Sequence, residues 1–147
     1  MEAGIIVAIA VSEKKGEKKR TIREANLIKD VGIEHDAHAE GGHRQVSLLM
    51  DESIDRIREE GIDVGHGDFA ENIVTRGVDL STLEPEDLIR IGENTLLQVT
   101  MIGKECLTPC RIYFEVGHCI MPEEGVFCRV LEPGRIRVGD AVAVERQ

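Results

Sequence analysis

Apolar and polar positions fall into short runs broken by glycine, proline and charge. Gly4–Val11 is apolar and rich in β-branched residues, which reads as a strand because branched side chains suit a pleated surface. After a Lys/Gly tip, Arg20–Arg23 and Ala25–Ile28 read as a returning strand with an irregular follow-on. Arg44–Leu49 is another short strand, running into a helix from Met50 to about Glu60. Ile54, Ile57 and Arg58 give that helix its spacing, Asp51 or Ser53 offers a cap, and Gly61 stops it. Gly61–Gly67 is loop-like and Ile73–Val74 a brief strand. Leu88–Ile91 and Thr95–Ile102 flank a Gly92-Glu93-Asn94 turn. Val126–Leu131 and Arg135–Val138 form a second hairpin pattern around Glu132-Pro133-Gly134, and Ala141–Glu145 is a last strand. Many short strands with frequent turn signals predict a mainly β chain, a barrel or sandwich with a few short peripheral helices.

Composition narrows the picture. With 147 residues and no internal repeat or long linker, the chain reads as one domain over residues 1–147. Aromatics are only 3%, namely Phe69, Tyr113, Phe114 and Phe127, so no base-stacking surface is expected. A formal charge of -10 repels phosphate backbones and anionic lipid, which argues against nucleic-acid and membrane partners. The basic run Lys14, Lys15, Lys18, Lys19 and Arg20 sits among Ser12, Gly16 and Glu17 and reads as a solvated hairpin tip. The N-terminal apolar run has no basic flank or cleavage signal and is too short to span a bilayer, so a cytoplasmic location is expected. On the same grounds the four cysteines, Cys106, Cys110, Cys119 and Cys128, are expected as reduced thiols.

The chemistry concentrates in a few segments. In Thr108-Pro109-Cys110-Arg111, Thr108 is a good N-cap and Pro109 suits a first helical position, predicting a short helix toward Val116. Cys110 then falls in its first turn, where free N–H groups and the helix dipole favour a thiolate. Arg111 and Lys104 add positive charge. Such a sulfur suits a nucleophile, a persulfide or a metal ligand, while the plainer account is a small apolar residue in a turn. His35-Asp36-Ala37-His38, with His43-Arg44 beyond, could ligate a metal if His43 or a cysteine joined. Hydrogen-bonding histidines in a Gly41-Gly42 loop are the plainer reading. The cysteine spacings of three, eight and eight residues fit a structural zinc site poorly. Gly65 to Ile73 offers glycines, Glu71 and Asn72, or simply a turn capped by Asp68, and Arg135 to Asp140 reads as structural.

Taken in order, these pieces resemble the MOSC family, the domain like the C-terminal part of molybdenum cofactor sulfurases. The matching segments are Gly32–His38, Arg44–Leu49, Gly67–Ile73, Ile91-Gly92, Pro109-Cys110, Gly125–Val130 and Gly139-Asp140, spread between Gly4 and Glu145. The resemblance implies a barrel-like, strand-rich fold that carries sulfur as a cysteine persulfide or binds molybdenum cofactor with that cysteine near or on the metal. It maps the reactive cysteine onto Cys110, and basic and polar pocket groups onto Arg44, His38, Glu71 and Asn72. Lys104 and Arg129 are further candidates for the pterin phosphate, and Cys106 for resolving the persulfide. One departure is Glu34-His35-Asp36, where many members carry Gly-Asp. The pyridoxal-phosphate domain of full sulfurases has no counterpart in these residues, so the implied partners are a separate cysteine desulfurase and a molybdenum or tungsten enzyme or its cofactor. Two other roles stay open: a cofactor-binding module, and a reductase component acting on N-hydroxylated compounds.

Overall fold

The computed structural model describes residues 3–15, 17–103 and 124–146. The long apolar run forms β1 (Ala3–Val11), followed by β2 (Arg20–Ile22), β3 (Glu24–Ile28), β4 (Gly32–Ile33) and β5 (Val46–Met50). Helix α1 (Asp51–Glu59) leads to β6 (Ile73–Arg76), β7 (Leu88–Ile91), β8 (Thr95–Ile102), β9 (Val126–Glu132), β10 (Gly134–Arg137) and β11 (Ala141–Glu145). Strands pair in the order β11-β7-β8-β9-β5-β6-β1, and β1 returns to β11 through Ala3 to Ile5, closing a seven-stranded barrel. Closure leaves no free edge along this ring. β2 pairs with the far end of β1.

One pairing departs from the sequence expectation. Val126–Leu131 and Arg135–Val138 do not form a hairpin: β9 joins β8 and β5 in the barrel, whereas β10 pairs with β3 in a separate sheet ordered β10-β3-β4. Gly134 marks the exchange, because a Cβ there would overlap the Thr95 hydroxyl. The irregular follow-on at Ala25–Ile28 is therefore a regular strand whose partner lies more than a hundred residues away in sequence (Ala25 opposite Ile136). β5 and β6, whose pairing the strand pattern leaves open, run parallel and are joined across α1.

That crossover explains why β5 is apolar at every position but Ser47, since parallel strands under a helix are covered on both faces. Leu48 and Ile73 point into the barrel with Ile6, Ile9, Leu97, Val99, Cys128 and Val130. Their neighbours Leu49 and Val74 point outward and, with Phe127 and Phe69, receive Ile54 and Ile57 of α1. Each of these two helix side chains contributes about 1.5–3 kcal/mol by leaving water. The helix has no side-chain cap: Met50 occupies the cap position. Asp51 and Ser53, expected as caps, bond elsewhere instead. Asp51 takes Arg76 Nη2 at 2.7 Å and His66 Nε2 at 2.9 Å, and Ser53 donates to Glu124 at 2.8 Å. Among the described residues no helix is long and apolar enough to cross a membrane.

Candidate functional site

The basic run after β1 is not all solvated. Lys19 folds inward, and its side chain and that of Asp36 have 0% exposure. The ammonium donates to Asp36 Oδ1 at 2.8 Å and Ser12 Oγ at 3.0 Å, and lies 3.3 Å from His38 Nδ1. Asp36 also accepts the Ser12 N–H on Oδ1 and the His38 N–H on Oδ2, both at 3.0 Å. Burial alone would raise the Asp36 carboxyl. Hydrogen bonds from His38 and Lys19, the Lys19 charge and the Ser12 N–H outweigh it and hold the group well below the usual carboxylate range. These contacts pin the loop between β4 and β5 against the end of β1.

On its outer side this loop forms an open pocket of about 320 Å³ lined by Lys15, His38, Glu40, Gly41, His43 and Arg44. Gly41 and Gly42 turn the chain there with φ near +80°, a region that suits glycine. A second pocket, also about 320 Å³, shares His43 and adds Glu86, Gln98, Val99, Thr100 and Arg129. The Thr100 hydroxyl, bonded to His43 O, joins the loop to β8. Arg44 stacks over Phe127 with its guanidinium 5.8 Å from the ring centroid. Arg129 donates to Gln98 at 2.9 Å, and Lys15 pairs with Glu40. A larger cavity, about 410 Å³, is lined by Arg135, Arg137 and Asp140. Both arginines there pair with Glu24 at 3.2 Å and Asp140 holds the Arg137 N–H, so its charges are committed to the fold.

Of the residues singled out in the sequence, His38 and Arg44 line the first pocket and Arg129 the second. Glu71 and Asn72 lie deeper, both at 0% exposure. Glu71 accepts the Gly67 N–H at 2.8 Å and the Phe69 N–H at 3.0 Å, and burial pushes its carboxyl up to about 7. Asn72 ties β1 to β5: Oδ1 accepts the Ser47 N–H at 3.0 Å and Nδ2 donates to Ala10 O at 3.0 Å. Gly67 O accepts the Lys19 N–H at 2.8 Å, linking this inner layer to the Lys19–Asp36 pair. His35 is exposed beside Glu34, 3.3 Å away, apart from His38. Among the described residues no three His, Cys, Asp or Glu side chains gather as a metal site.

Lys104, Cys106, Cys110 and Cys119 lie outside the described residues. The residues on either side are placed: Gly103 N–H donates to Gly125 O at 2.6 Å, and Ile102 pairs with Val126 next to Phe127. The described residues that flank the cysteine-bearing stretch, Gly103 and Glu124, are thus two and three positions along from Met101 and Phe127, an opposed pair whose phenyl ring Arg44 covers. Cys128 belongs to the barrel interior, with its thiol pushed far up by burial. Lys19, read in the sequence as part of a solvated tip, was missed as Asp36's partner because a buried lysine and a solvated one are the same letter. The available signal was a carboxylate at Asp36 flanked by histidines in an otherwise turn-like loop.

No curated protein sequence matches the chain. Among solved structures, the YuaD protein from Bacillus subtilis superposes with a TM-score of 0.80 at 18% identity, covering 100% of both chains. YiiM from Geobacillus stearothermophilus gives 0.73 at 20% identity, covering 96% of this chain and 74% of that one. YiiM from Escherichia coli gives 0.67 at 19% identity, covering 100% and 71%. At these identities the likeness is one of fold. The model of the MOSC domain matches residues 35–143, which takes in the His38 loop, strands β5 to β10 and Cys110, and the chain belongs to the MOSC domain family.

Proposed function

We propose that this chain is a sulfur carrier that delivers sulfur from Cys110 to a molybdenum or tungsten pterin cofactor. The supporting observation is the pocket of Lys15, His38, Glu40, His43 and Arg44, where Lys15 pairs with Glu40 and the Arg44 guanidinium is left to meet an anion, close to the strand ends Gly103 and Gly125 that flank the Cys110 stretch. Its donor set fits the phosphate end of a pterin: Arg44 has no carboxylate partner among the described residues, and Arg binds compact oxyanions in a fork. A volume of about 320 Å³ admits part of such a ligand, with His43 continuing the surface toward Arg129.

In this reading a pyridoxal-phosphate cysteine desulfurase supplies a persulfide. The Cys110 thiolate attacks its terminal sulfur, the donor S–S bond breaks, and the electron pair leaves on the donor thiolate. Release needs two electrons, which Cys106 supplies by attacking the inner sulfur, leaving a Cys106–Cys110 disulfide and hydrosulfide. The recipient cofactor is held by its phosphate against Arg44.

The test is intact-mass analysis after incubation with a cysteine desulfurase and cysteine, followed by peptide mapping. One added sulfur on Cys110, absent in Cys110→Ser, is expected. No gain in folded, reduced protein refutes the carrier role. Retention of pterin by the same sample then favours a cofactor-binding module, and added electron-donor-dependent turnover of an N-hydroxylated compound favours a reductase component.

A further inference from the structure

We propose that the buried Lys19–Asp36 pair is a positioning device for His38, fixing Nδ1 as an acceptor so that Nε2–H faces the pocket as a donor to a phosphate-type oxyanion. This rests on the oxyanion reading of the pocket but not on sulfur transfer at Cys110. An ion pair with no exposure is costly to desolvate, and stability alone is a weak reason for one.

The proton count decides the tautomer. A lysine ammonium carries three N–H donors. One goes to Asp36 Oδ1 and one to Ser12 Oγ, whose own hydrogen is spent on Lys14 O at 2.9 Å. The third has only His38 Nδ1, 3.3 Å away. Asp36 Oδ2 lies 3.4 Å from the same ring nitrogen and, although it accepts the His38 backbone N–H at 3.0 Å, keeps a lone pair for a ring N–H, so it is the third Lys19 proton that discriminates. A proton on Nδ1 would face the ammonium and leave one buried Lys19 N–H without an acceptor, which a charged donor tolerates least. Nδ1 therefore accepts, and the neutral ring carries its proton on Nε2.

The ring is 17% exposed and lines the pocket beside Lys15, Glu40, His43 and Arg44, with Glu40 held by Lys15. No group among the described residues bonds Nε2, so its N–H is available to a ligand oxygen. The arrangement disfavours His38 as a metal ligand through Nε2, because that would force a proton onto Nδ1 against Lys19. Lys19 and Asp36 act through His38 and touch no ligand themselves.

The experiment is long-range proton–nitrogen NMR on histidine-labelled protein at pH 8, with His38→Gln for assignment, plus titration with inorganic phosphate. In the wild type, His38 should show a bare Nδ1 and a protonated Nε2. Lys19→Met should move the proton to Nδ1, where Asp36 Oδ2 takes it. Should that variant not fold, the His38 substitutions decide alone. His38→Ala should weaken phosphate about tenfold, and His38→Gln, which keeps an N–H at the same reach, by less than about threefold. A protonated Nδ1 in the wild type, an unchanged tautomer in folded Lys19→Met, or equal losses in the two His38 variants would overturn the proposal. So would absence of phosphate binding in the wild type, an outcome that leaves sulfur loading on Cys110 untouched.

Discussion

Asn72→Ala tests whether this residue holds the barrel together from within rather than meeting a ligand. Its amide makes three side-chain bonds, accepting from Ser47 N at 3.0 Å and Ser47 Oγ at 3.2 Å and donating to Ala10 O at 3.0 Å. Asn72 is 0% and Ser47 4% exposed, so water does not replace the lost partners. The Ser47 hydroxyl can turn to another acceptor, whereas the Ser47 N–H and the Ala10 carbonyl are left without this partner. At about 1–3 kcal/mol per stranded buried group, the expected loss is about 4 kcal/mol. That lowers the melting temperature by roughly 8–16 °C in a chain of this size. Urea unfolding followed by circular dichroism measures the first figure and a thermal scan the second. Asn72→Asp sharpens the test. It keeps the Ser47 bonds but turns a carboxylate oxygen toward Ala10 O, so its defect should shrink at low pH, where the protonated acid donates instead. A loss below about 1 kcal/mol for Asn72→Ala, with an unchanged urea slope, would refute this account of β1 and β5.

Three further outcomes follow from the packing of Glu71, Cys128 and Gly67. Glu71 binds its proton more tightly folded, near pH 7, than at its ordinary 4.5, so its share of stability is full below 4.5 and lost as pH rises to 7. That span corresponds to about 3 kcal/mol, and Glu71→Gln should show a flatter stability profile between pH 5 and 8 than wild type; equal slopes would contradict the burial effect. Cys128 should resist iodoacetamide in the native protein and react only in urea, as peptide mapping can show, because its thiol lies at 0% exposure inside the barrel. Gly67→Ala should cost at least about 2 kcal/mol in urea unfolding and weaken phosphate binding too, since φ is +91° and the new Cβ would overlap Lys19 O; a silent substitution would break the link drawn between this loop and Lys19.

Much of the fold was legible because its signals are local. The alternation in Thr95–Ile102, the turn at Gly92-Glu93-Asn94 and the spacing of Ile54 and Ile57 each mark an element without reference to the rest of the chain. The Gly65 to Phe69 turn was also readable, with Asp68 Oδ2 accepting the Gly65 N–H at 2.8 Å. Partners were not. Glu132-Pro133-Gly134 looks like a hairpin turn, yet β9 and β10 leave it into different sheets, because both edges of β9 are taken by β8 and β5 and β10 pairs with β3 instead.

The candidate site divides the same way. His38, Arg44 and Arg129 could be named from residue type, and the pockets bring them onto surfaces joined by His43. Glu71 and Asn72 could be named too, but whether an amide meets solvent, ligand or backbone depends on which strands enclose it, and here these are β1 and β5.

The chain's pattern thus determined its strand content, its one described helix, its acidic character and its membership of a family. Only the tertiary structure decided barrel closure through β1 and β11, the parallel step across α1, and the descent of Lys19 into the interior to meet Asp36 and His38. Local propensity is carried by neighbours within a few residues, whereas burial and pairing depend on groups seventeen to more than a hundred positions apart (Lys19 to Asp36, Ala3 to Ala143). A lysine is driven inward only when a carboxylate, a hydroxyl and an imidazole converge to replace its water, and that convergence exists only in the folded chain.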